Sequence, residues 1–265
     1  RNPFTALFRR EMPVEAGADV HEPDGFIFHL SRCGSTLISR SLAAVESTLA
    51  ISEAAPVDEV VRTGRADWLK AMVSALGGVR GAAAERYIVK LDCWHIHSLP
   101  LFRAAFPKTP RVFVFREPRE VLVSWLRSPG IQALPGAMDP ARLGMRPEDI
   151  TSLTRQQWGC RVLERLMTAA LRHRGDPLTL YVDYRELPGA IWTRIAEHFQ
   201  LRLTARETER VRAAAARDAK DPERDFAGDR EEKRRLAEAL APDAGLARLA
   251  ELYDELASLS RSSSR

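Results

Sequence analysis

Five short apolar runs, each followed by a stretch with helical spacing, constrain the fold of this chain more than any other feature. The runs are rich in β-branched and aromatic residues, which is typical of buried parallel strands. Their alternation with helices predicts an α/β fold with a mostly parallel central sheet covered by helices on both faces. We expect strands near 26–30, 49–52, 87–91, 111–115 and 178–182, and helices near 36–45, 66–76, 97–105, 118–127, 151–173 and 188–199.

The length of the chain indicates one main domain. At 265 residues the chain can bury a core of the size that an α/β domain needs. From Thr204 onward the pattern becomes helical and charged. We therefore expect an N-terminal lead-in at 1–24, the α/β domain at 25–203, a helical extension or lid at 204–258 and a flexible tail at 259–265.

The composition narrows the range of partners and compartments. The net charge of +4 comes from dispersed arginines and lysines, which suits a phosphorylated ligand or an acidic acceptor and does not indicate nucleic acid. Cys33, Cys93 and Cys160 lack the number and spacing of disulfides or a zinc site, so we expect no metal and a reducing, cytoplasmic environment. No apolar run reaches the ~18 residues of a membrane span, so we expect no membrane insertion.

The first predicted strand runs into a loop of small and polar residues that has the features of a phosphate cradle. Gly34 allows a tight turn, and Ser35 and Thr36 can cap a helix that opens at Leu37. Loop N–H groups and the positive end of the helix would then converge on an anion. The loop lacks the Gly-Lys-Ser/Thr of ATP and GTP loops, because its nearby cation, Arg32, precedes the glycine.

A second segment with a candidate phosphate ligand follows the strand at 111–115. Pro118 suits the first turn of a helix, which places Arg116 at the end of the strand and Ser124 about two turns along the helix. A guanidinium and a hydroxyl suit a terminal phosphate. The alternative is that Arg116 pairs with Glu117 or Glu120 and that Ser124 lies on a solvated helix face.

These two segments, in this order, resemble the sulfotransferases that use 3′-phosphoadenosine 5′-phosphosulfate (PAPS) as donor. The resemblance covers roughly residues 25–200 and implies the P-loop sulfotransferase fold, with the product 3′,5′-ADP (PAP). It assigns Arg116 and Ser124 to the 3′-phosphate. The resemblance implies that the loop holds the 5′-phosphosulfate through Arg32, Cys33, Gly34, Ser35, Thr36 and Leu37. An arginine at this place of the loop is typical of the tyrosylprotein sulfotransferase branch.

A third segment, Leu180 to Leu187, resembles the family's strand that ends in Tyr-Glu-Asp-Leu. The resemblance places Tyr184 near the adenine, although Arg185 replaces an acid of the pattern. Tyr184 is equally well explained as an ordinary core aromatic.

The resemblance also supplies candidates for the base that accepts the acceptor's proton. One branch uses a histidine in Lys-Thr-His, where this chain has Lys90, Leu91 and Asp92. The tyrosylprotein branch uses a glutamate after the second strand, which here is Glu53. We therefore predict Glu53 as base, its pKa raised by partial burial, with Arg32 and Lys90 neutralising sulfuryl charge. Asp92 is the second choice, before His95 and His97, and the alternative for Glu53 is a surface acid at a helix start near Pro56.

The sequence predicts a hydroxyl compound as the acceptor and does not identify it further. The proline- and glycine-rich segment Pro129–Asp149 predicts a long loop that serves as a lid or acceptor wall. Phe226–Asp229, with Lys220, Arg230 and Lys233, is the nearest match to a late donor-covering segment of the family. Two other functions stay open: a P-loop phosphotransferase of the kinase type, and an inactive nucleotide-binding module.

Overall fold

The computed structural model describes residues 22–78, 84–146, 148, 153–217, 236–238 and 240–262. Five parallel strands form one sheet in the order β2-β3-β1-β4-β5. The strands are β1 (Gly25–His29), β2 (Thr48–Ser52), β3 (Arg86–Lys90), β4 (Arg111–Phe115) and β5 (Thr179–Asp183).

Helices cover the sheet and follow the strands in alternation, which confirms the predicted α/β class. Short 3₁₀ turns occupy Cys93–Ser98, Ile131–Ala133, Pro140–Leu143, Tyr184–Glu186 and Gly189–Ile191. The α-helices are α1 (Ser35–Ala43), α2 (Ala55–Val61), α3 (Ala66–Gly78), α4 (Leu99–Ala105), α5 (Pro118–Arg127), α6 (Arg155–Leu171), α7 (Arg194–His198), α8 (Ala205–Ala215) and α9 (Ala244–Ser262).

The central strand β1 determines where the chain can bind a ligand. All its residues are buried, and it pairs with β3 on one side and with β4 on the other. The strand order therefore changes direction at β1, and ligands of such sheets bind beyond the carboxyl ends of the strands at this point. The residues at that edge are His29, Ser52, Lys90, Phe115 and Asp183.

Two helix predictions are wrong in their details. Helix α1 begins at Ser35 rather than Leu37, because Gly34, with φ of 90°, already occupies the N-cap position and no side chain caps the helix. The segment predicted as one helix at 188–199 is a 3₁₀ turn followed by the short α7, because Thr193 between them has non-helical angles, φ −111° and ψ −101°.

The C-terminal helix α9 packs against α6 and β5. It continues through Ser262, and Ser260 is buried and donates a hydrogen bond to the Tyr181 carbonyl at 3.0 Å. The predicted flexible tail at 259–265 is therefore helical up to Ser262. The predicted donor-covering segment, Phe226–Asp229 with Lys220, Arg230 and Lys233, lies outside the described residues. Within the described ranges, no helix has the length and apolar character to cross a membrane.

Candidate active site

The loop after β1 holds two successive non-glycine residues in the left-handed region. Ser31 has φ of 69° and Arg32 has φ of 50°, a conformation that costs free energy for residues with a Cβ. Three hydrogen bonds hold Ser31 there: its N–H donates to His29 Nδ1 at 2.9 Å, and its Oγ accepts from Gln132 Nε2 at 3.0 Å and from Trp125 Nε1 at 3.3 Å. The surrounding side chains thus impose the loop conformation.

Helix α1 starts directly after this loop. The N–H groups of its first turn, at Ser35, Thr36 and Leu37, have no partner within the helix and form its positive end. Gly34 is packed so closely that a Cβ there would lie 2.5 Å from Leu187 Cδ1 and 3.0 Å from Tyr184 Cδ2. The glycine is therefore required both by its backbone angle and by the contact with the segment after β5.

Cys33 and Arg32 point in different directions from the same loop. The Cys33 thiol is buried and donates to the Val114 carbonyl at 3.1 Å, and burial raises its pKa to about 11. Cys33 therefore stays a protonated thiol that anchors the loop. The half-buried Arg32 guanidinium donates to the backbone carbonyl of Ser128 at 2.8 Å, just beyond α5.

Glu53 and Lys90 form an ion pair at the ends of β2 and β3. The Glu53 N–H donates to the Lys90 carbonyl at 2.8 Å, and the Lys90 ammonium contacts the Glu53 carboxylate. Lys90 is buried, whereas the Glu53 side chain is 45% exposed. The His29 ring and Lys90 hold the pKa of Glu53 at about 2 against the opposing effect of burial. The predicted rise of the Glu53 pKa is therefore wrong, because the carboxylate has two donors beside it.

Asp92, two residues beyond β3, has the opposite electrostatic setting. Burial raises its pKa to about 6, His95 acts against that rise, and the charges of Glu53 and Asp58 add to it. Asp92 is the N-cap of the 3₁₀ turn at Cys93–Ser98. Of the two predicted carboxylate bases, Asp92 therefore titrates near neutral pH.

His95 and His97, the third and fourth predicted candidates for the base, differ in how the protein holds them. His95 accepts from the Asp92 N–H at 3.3 Å through Nδ1 and lies 3.0 Å from Asp58 Oδ1 through Nε2. The ring of His97 packs under Gly144, and burial lowers its pKa to about 4. Both nitrogens of His95 are therefore engaged in hydrogen bonds, whereas His97 Nε2 is buried without a hydrogen-bond partner among the described residues.

Asp58, which the sequence did not indicate, is the centre of a buried network. Its carboxylate accepts from Trp94 Nε1 at 2.8 Å and pairs with His95 and with the Arg142 guanidinium. Burial alone would raise the pKa of Asp58, but these three donors lower it. Asp58, Asp92 and His95 offer ligand atoms within 4.8 Å of one another, yet the Asp58 oxygens already accept these three donors. The network therefore fixes Arg142 rather than presenting open ligands.

Arg116 and Tyr184 stack at the ends of β4 and β5. The Arg116 guanidinium lies 4.1 Å from the centre of the Tyr184 ring, and its Nε donates to Glu120 Oε2 at 2.6 Å. Both side chains and Glu120 are buried. The alternative pairing of Arg116 with Glu120 is thus present, and the guanidinium is held against the tyrosine. Ser124, one turn beyond Glu120, is buried in α5 rather than on a solvated face.

The predicted lid is folded against the site over its described part, 129–146. Gln132 links it to the loop at Ser31 and to Trp158 Nε1, which donates to the Gln132 carbonyl at 3.0 Å. Arg142 links it to Asp58. Ile131 and Leu134 remain exposed at 50% and 37%. The segment is an ordered wall beside the loop after β1.

These contacts join the predicted site residues into one arrangement. Gly34 touches Tyr184, which stacks on Arg116, and His29 bridges the loop and the Glu53–Lys90 pair. Sequence reasoning missed His29, Asp58 and Gln132. The available signal for His29 was a lone polar residue at the end of the apolar strand Gly25–His29.

A groove of about 480 Å³ lies between α4 and the amino ends of β4 and β5, at the end of the sheet opposite to the candidate site. Its two arginines, Arg103 and Arg111, both face Asp176, at 3.8 Å and 3.6 Å. One carboxylate therefore compensates about half of the charge of the two guanidinium groups.

Comparison with solved structures identifies the class of fold. The sulfotransferase domain from the curacin biosynthetic pathway matches with a TM-score of 0.59 and 14% identity, over 88% of this chain and 98% of that chain. Sulfotransferase STF9 from Mycobacterium avium matches at 0.61 and 15%, over 95% and 80%. The sulfotransferase domain of the Synechococcus PCC 7002 olefin synthase matches at 0.57 and 16%, over 89% and 94%.

The chain therefore has the fold of bacterial sulfotransferase domains, which confirms the fold that the resemblance implied. No family model and no curated protein sequence matches it.

Proposed function

We propose that the chain is a PAPS-dependent sulfotransferase that transfers a sulfuryl group to a hydroxyl acceptor. The observation that carries this proposal is the imposed conformation of the loop after β1, whose left-handed Ser31 and Arg32 lead into the open first turn of α1. In a sulfotransferase fold this loop lies at the edge where a phosphosulfate would bind.

The residues present fit a polyanionic donor. In the proposal Arg32 and the first turn of α1, from Ser35 to Leu37, hold the 5′-phosphosulfate, with Arg32 leaving Ser128 for the sulfuryl oxygens. Arg116 and Ser124 hold the 3′-phosphate, and Tyr184 supports Arg116 from below. Charge-assisted hydrogen bonds from guanidinium groups are the strongest contacts that a protein offers such a ligand.

In the proposed reaction the acceptor oxygen attacks sulfur, the bond from sulfur to the 5′-phosphate oxygen breaks, and 3′,5′-ADP leaves. Glu53 accepts the hydroxyl proton. Its low pKa in the free protein arises in part from Lys90, and an anionic donor competes with Glu53 for that ammonium. Donor binding would thus raise the basicity of Glu53 when it is needed, while Lys90 neutralises the leaving oxygen. Asp92 is the alternative base, because its pKa of about 6 suits proton transfer near neutral pH.

The proposed acceptor site lies between the wall at 129–146 and the segment after Lys90. The exposed apolar side chains of Ile131 and Leu134 belong to this wall, which begins beside Ser128, the partner of Arg32. A hydroxyl compound with an apolar body would therefore gain more from this wall than a fully polar one.

Calorimetric titration with 3′,5′-ADP, ADP, and ATP plus magnesium tests the donor class. We expect 3′,5′-ADP to bind most tightly; preference for ATP plus magnesium would instead support a P-loop phosphotransferase. Labelled PAPS offered to a mixed library of alcohols, phenols, glycans and peptides then tests turnover. Tight 3′,5′-ADP binding without transfer to any hydroxyl would identify an inactive nucleotide-binding module.

A further inference from the structure

His29, the last residue of β1, touches both halves of the site. Its ring is buried and accepts the Ser31 N–H at Nδ1, at 2.9 Å. A ring nitrogen that accepts from a backbone N–H carries no proton, so the proton of the neutral ring is on Nε2. Nε2 lies 2.8 Å from the Leu91 carbonyl oxygen and 3.6 Å from Glu53 Oε1. Nε2–H therefore donates to Leu91 and faces Glu53.

We infer that His29 is a positioning residue for the proposed sulfuryl transfer, whose neutral ring ties the phosphate loop at Ser31 to the segment Lys90–Asp92 at Leu91. This inference rests on the proposed function. On one side the ring holds the strained loop that binds the donor. On the other side it fixes the backbone between Lys90 and Asp92 and stands beside Glu53. A single side chain thus sets the spacing between donor loop and candidate bases.

The charges around His29 agree with a neutral His29 ring. Burial lowers the pKa of His29 first of all, Lys90 lowers it further, and Glu53 opposes them. The groups that face Glu53 are the neutral ring of His29 from β1 and the ammonium of Lys90 from β3, and the charge of Glu53 acts in turn on Asp92. His29 is the leading cause of the low pKa of Glu53.

Two substitutions separate the two roles, because each amide reproduces one nitrogen of the ring. In His29→Asn the amide oxygen takes the place of Nδ1 and keeps the bond to Ser31, but nothing reaches Leu91. In His29→Gln the amide nitrogen takes the place of Nε2 and keeps the bond to Leu91, but Ser31 loses its acceptor. A merely structural histidine would make both variants lose the same properties.

The readouts are 3′,5′-ADP affinity, the carbon-13 titration of Glu53 in the ligand-free protein, and turnover with PAPS. For His29→Gln we expect about fivefold to tenfold weaker 3′,5′-ADP binding, the worth of one neutral hydrogen bond, and an unchanged Glu53 titration. For His29→Asn we expect affinity within about twofold of the parent, a Glu53 pKa moved up towards its usual range, and lower kcat with nearly unchanged KM.

Equal losses in both variants across all readouts would overturn the inference. Nitrogen-15 spectra of the parent supply a test that needs no variant: the neutral ring must carry its proton on Nε2, and a proton on Nδ1 would refute the assignment. If the parent binds no 3′,5′-ADP, the proposed function fails, whereas the ring tautomer and the Glu53 titration still decide whether His29 joins the two segments.

Discussion

The Arg116 guanidinium lies 4.1 Å above the Tyr184 ring while its Nε donates to Glu120. The stack is buried and touches the loop after β1 through Gly34, so one tyrosine lies against both segments that we propose to hold the donor. The planar cation is thus oriented before any ligand arrives, which lowers the entropic cost of binding an anion.

Replacing Arg116 by alanine tests the 3′-phosphate assignment. We expect Arg116→Ala to weaken 3′,5′-ADP binding by about 1.5–3 kcal/mol, since a charge-assisted pair is lost. Adenosine 5′-phosphosulfate, which lacks that phosphate, should bind both proteins almost equally. Arg119→Ala, at an exposed position of the same helix, is the matched control. Calorimetry that finds unchanged 3′,5′-ADP affinity in Arg116→Ala would refute the assignment.

The role of Arg32 is separable from that of Arg116. Arg32→Ala should weaken PAPS by about tenfold to a hundredfold and 3′,5′-ADP much less, because only PAPS carries the sulfuryl group that Arg32 is proposed to contact. The exposed Arg40, near the other end of α1, provides a control in Arg40→Ala. Competition binding measures both ligands; equal loss for the two would mean that Arg32 contacts a phosphate instead.

Glu53→Gln preserves the shape of the proposed base and removes its proton acceptor. Turnover should fall by about 10²–10⁴-fold without loss of donor affinity, because the neutral glutamine competes less with the donor for Lys90. As the pH is lowered, kcat of the parent should decline at a higher pH than kcat/KM does. The reason is that donor binding draws Lys90 away from Glu53 and so raises the pKa of Glu53 in the complex. If Glu53→Gln stays active while Asp92→Asn does not, the base is Asp92, and kcat/KM of the parent should then fall below about pH 6.

Asp92 should also leave a signature in stability. Its folded pKa of about 6 exceeds the value of about 3.9 in an unfolded chain, so between these values the folded protein binds more protons. The contribution of Asp92 to the free energy of unfolding should therefore rise as pH falls from about 6 to 4, a range in which the lowered pKa values of His29 and His97 act in the opposite direction. The contribution of Glu53 also has the opposite sign, because its pKa is depressed from 4.5 to about 2 and its stabilisation is lost on protonation.

Urea unfolding across this range measures the effect. Relative to Asp92→Asn, the parent should gain stability between about pH 6 and 4, and Asp254→Asn, at an exposed position of α9, should behave as the parent does. If the free energies of unfolding of the parent and of Asp92→Asn change in parallel over this interval, the raised pKa of Asp92 is contradicted.

The ion pair of Arg142 with Asp58 should hold the wall at 129–146 in place. Arg142→Ala leaves a buried carboxylate with one donor fewer, so we expect the free energy of unfolding to fall by about 1–3 kcal/mol. Arg146→Ala, at a side chain that is 74% exposed, should change it little. Limited proteolysis should cut the wall faster in Arg142→Ala only; equal cutting in both would show that the pair does not anchor it.

The sheet was predictable because each strand is an apolar run bounded by polar residues. The strand at 111–115 matches its prediction. Each of the other four strands is shifted or extended by one residue relative to its prediction. The helix at 188–199 was wrong because its apolar spacing is helical while Thr193 departs from helical angles, and spacing alone does not reveal such a break.

For the candidate site, the sequence predicted which residues lie close together but not the pKa values of their side chains. The carboxyl ends of neighbouring parallel strands must meet, so Glu53 and Lys90 were expected at one edge. The pKa of Glu53 depends on His29, which comes from a strand that is remote in sequence and reads there as part of an apolar run. The contact of Gln132 with Ser31 was missed because Gln132 belongs to a loop whose path cannot be predicted from the sequence.

The bond from Gln132 to Ser31 bears on any attempt to re-engineer acceptor preference. Exchanging the whole wall at 129–146 for the equivalent segment of a domain with the same fold would remove a donor that holds the left-handed Ser31 in the loop after β1. A graft that keeps Gln132 and varies Ile131 and Leu134 would leave that serine supported. If the proposed function is correct, acceptor preference and donor binding are therefore coupled through this bond, and a chimera must carry the glutamine with it.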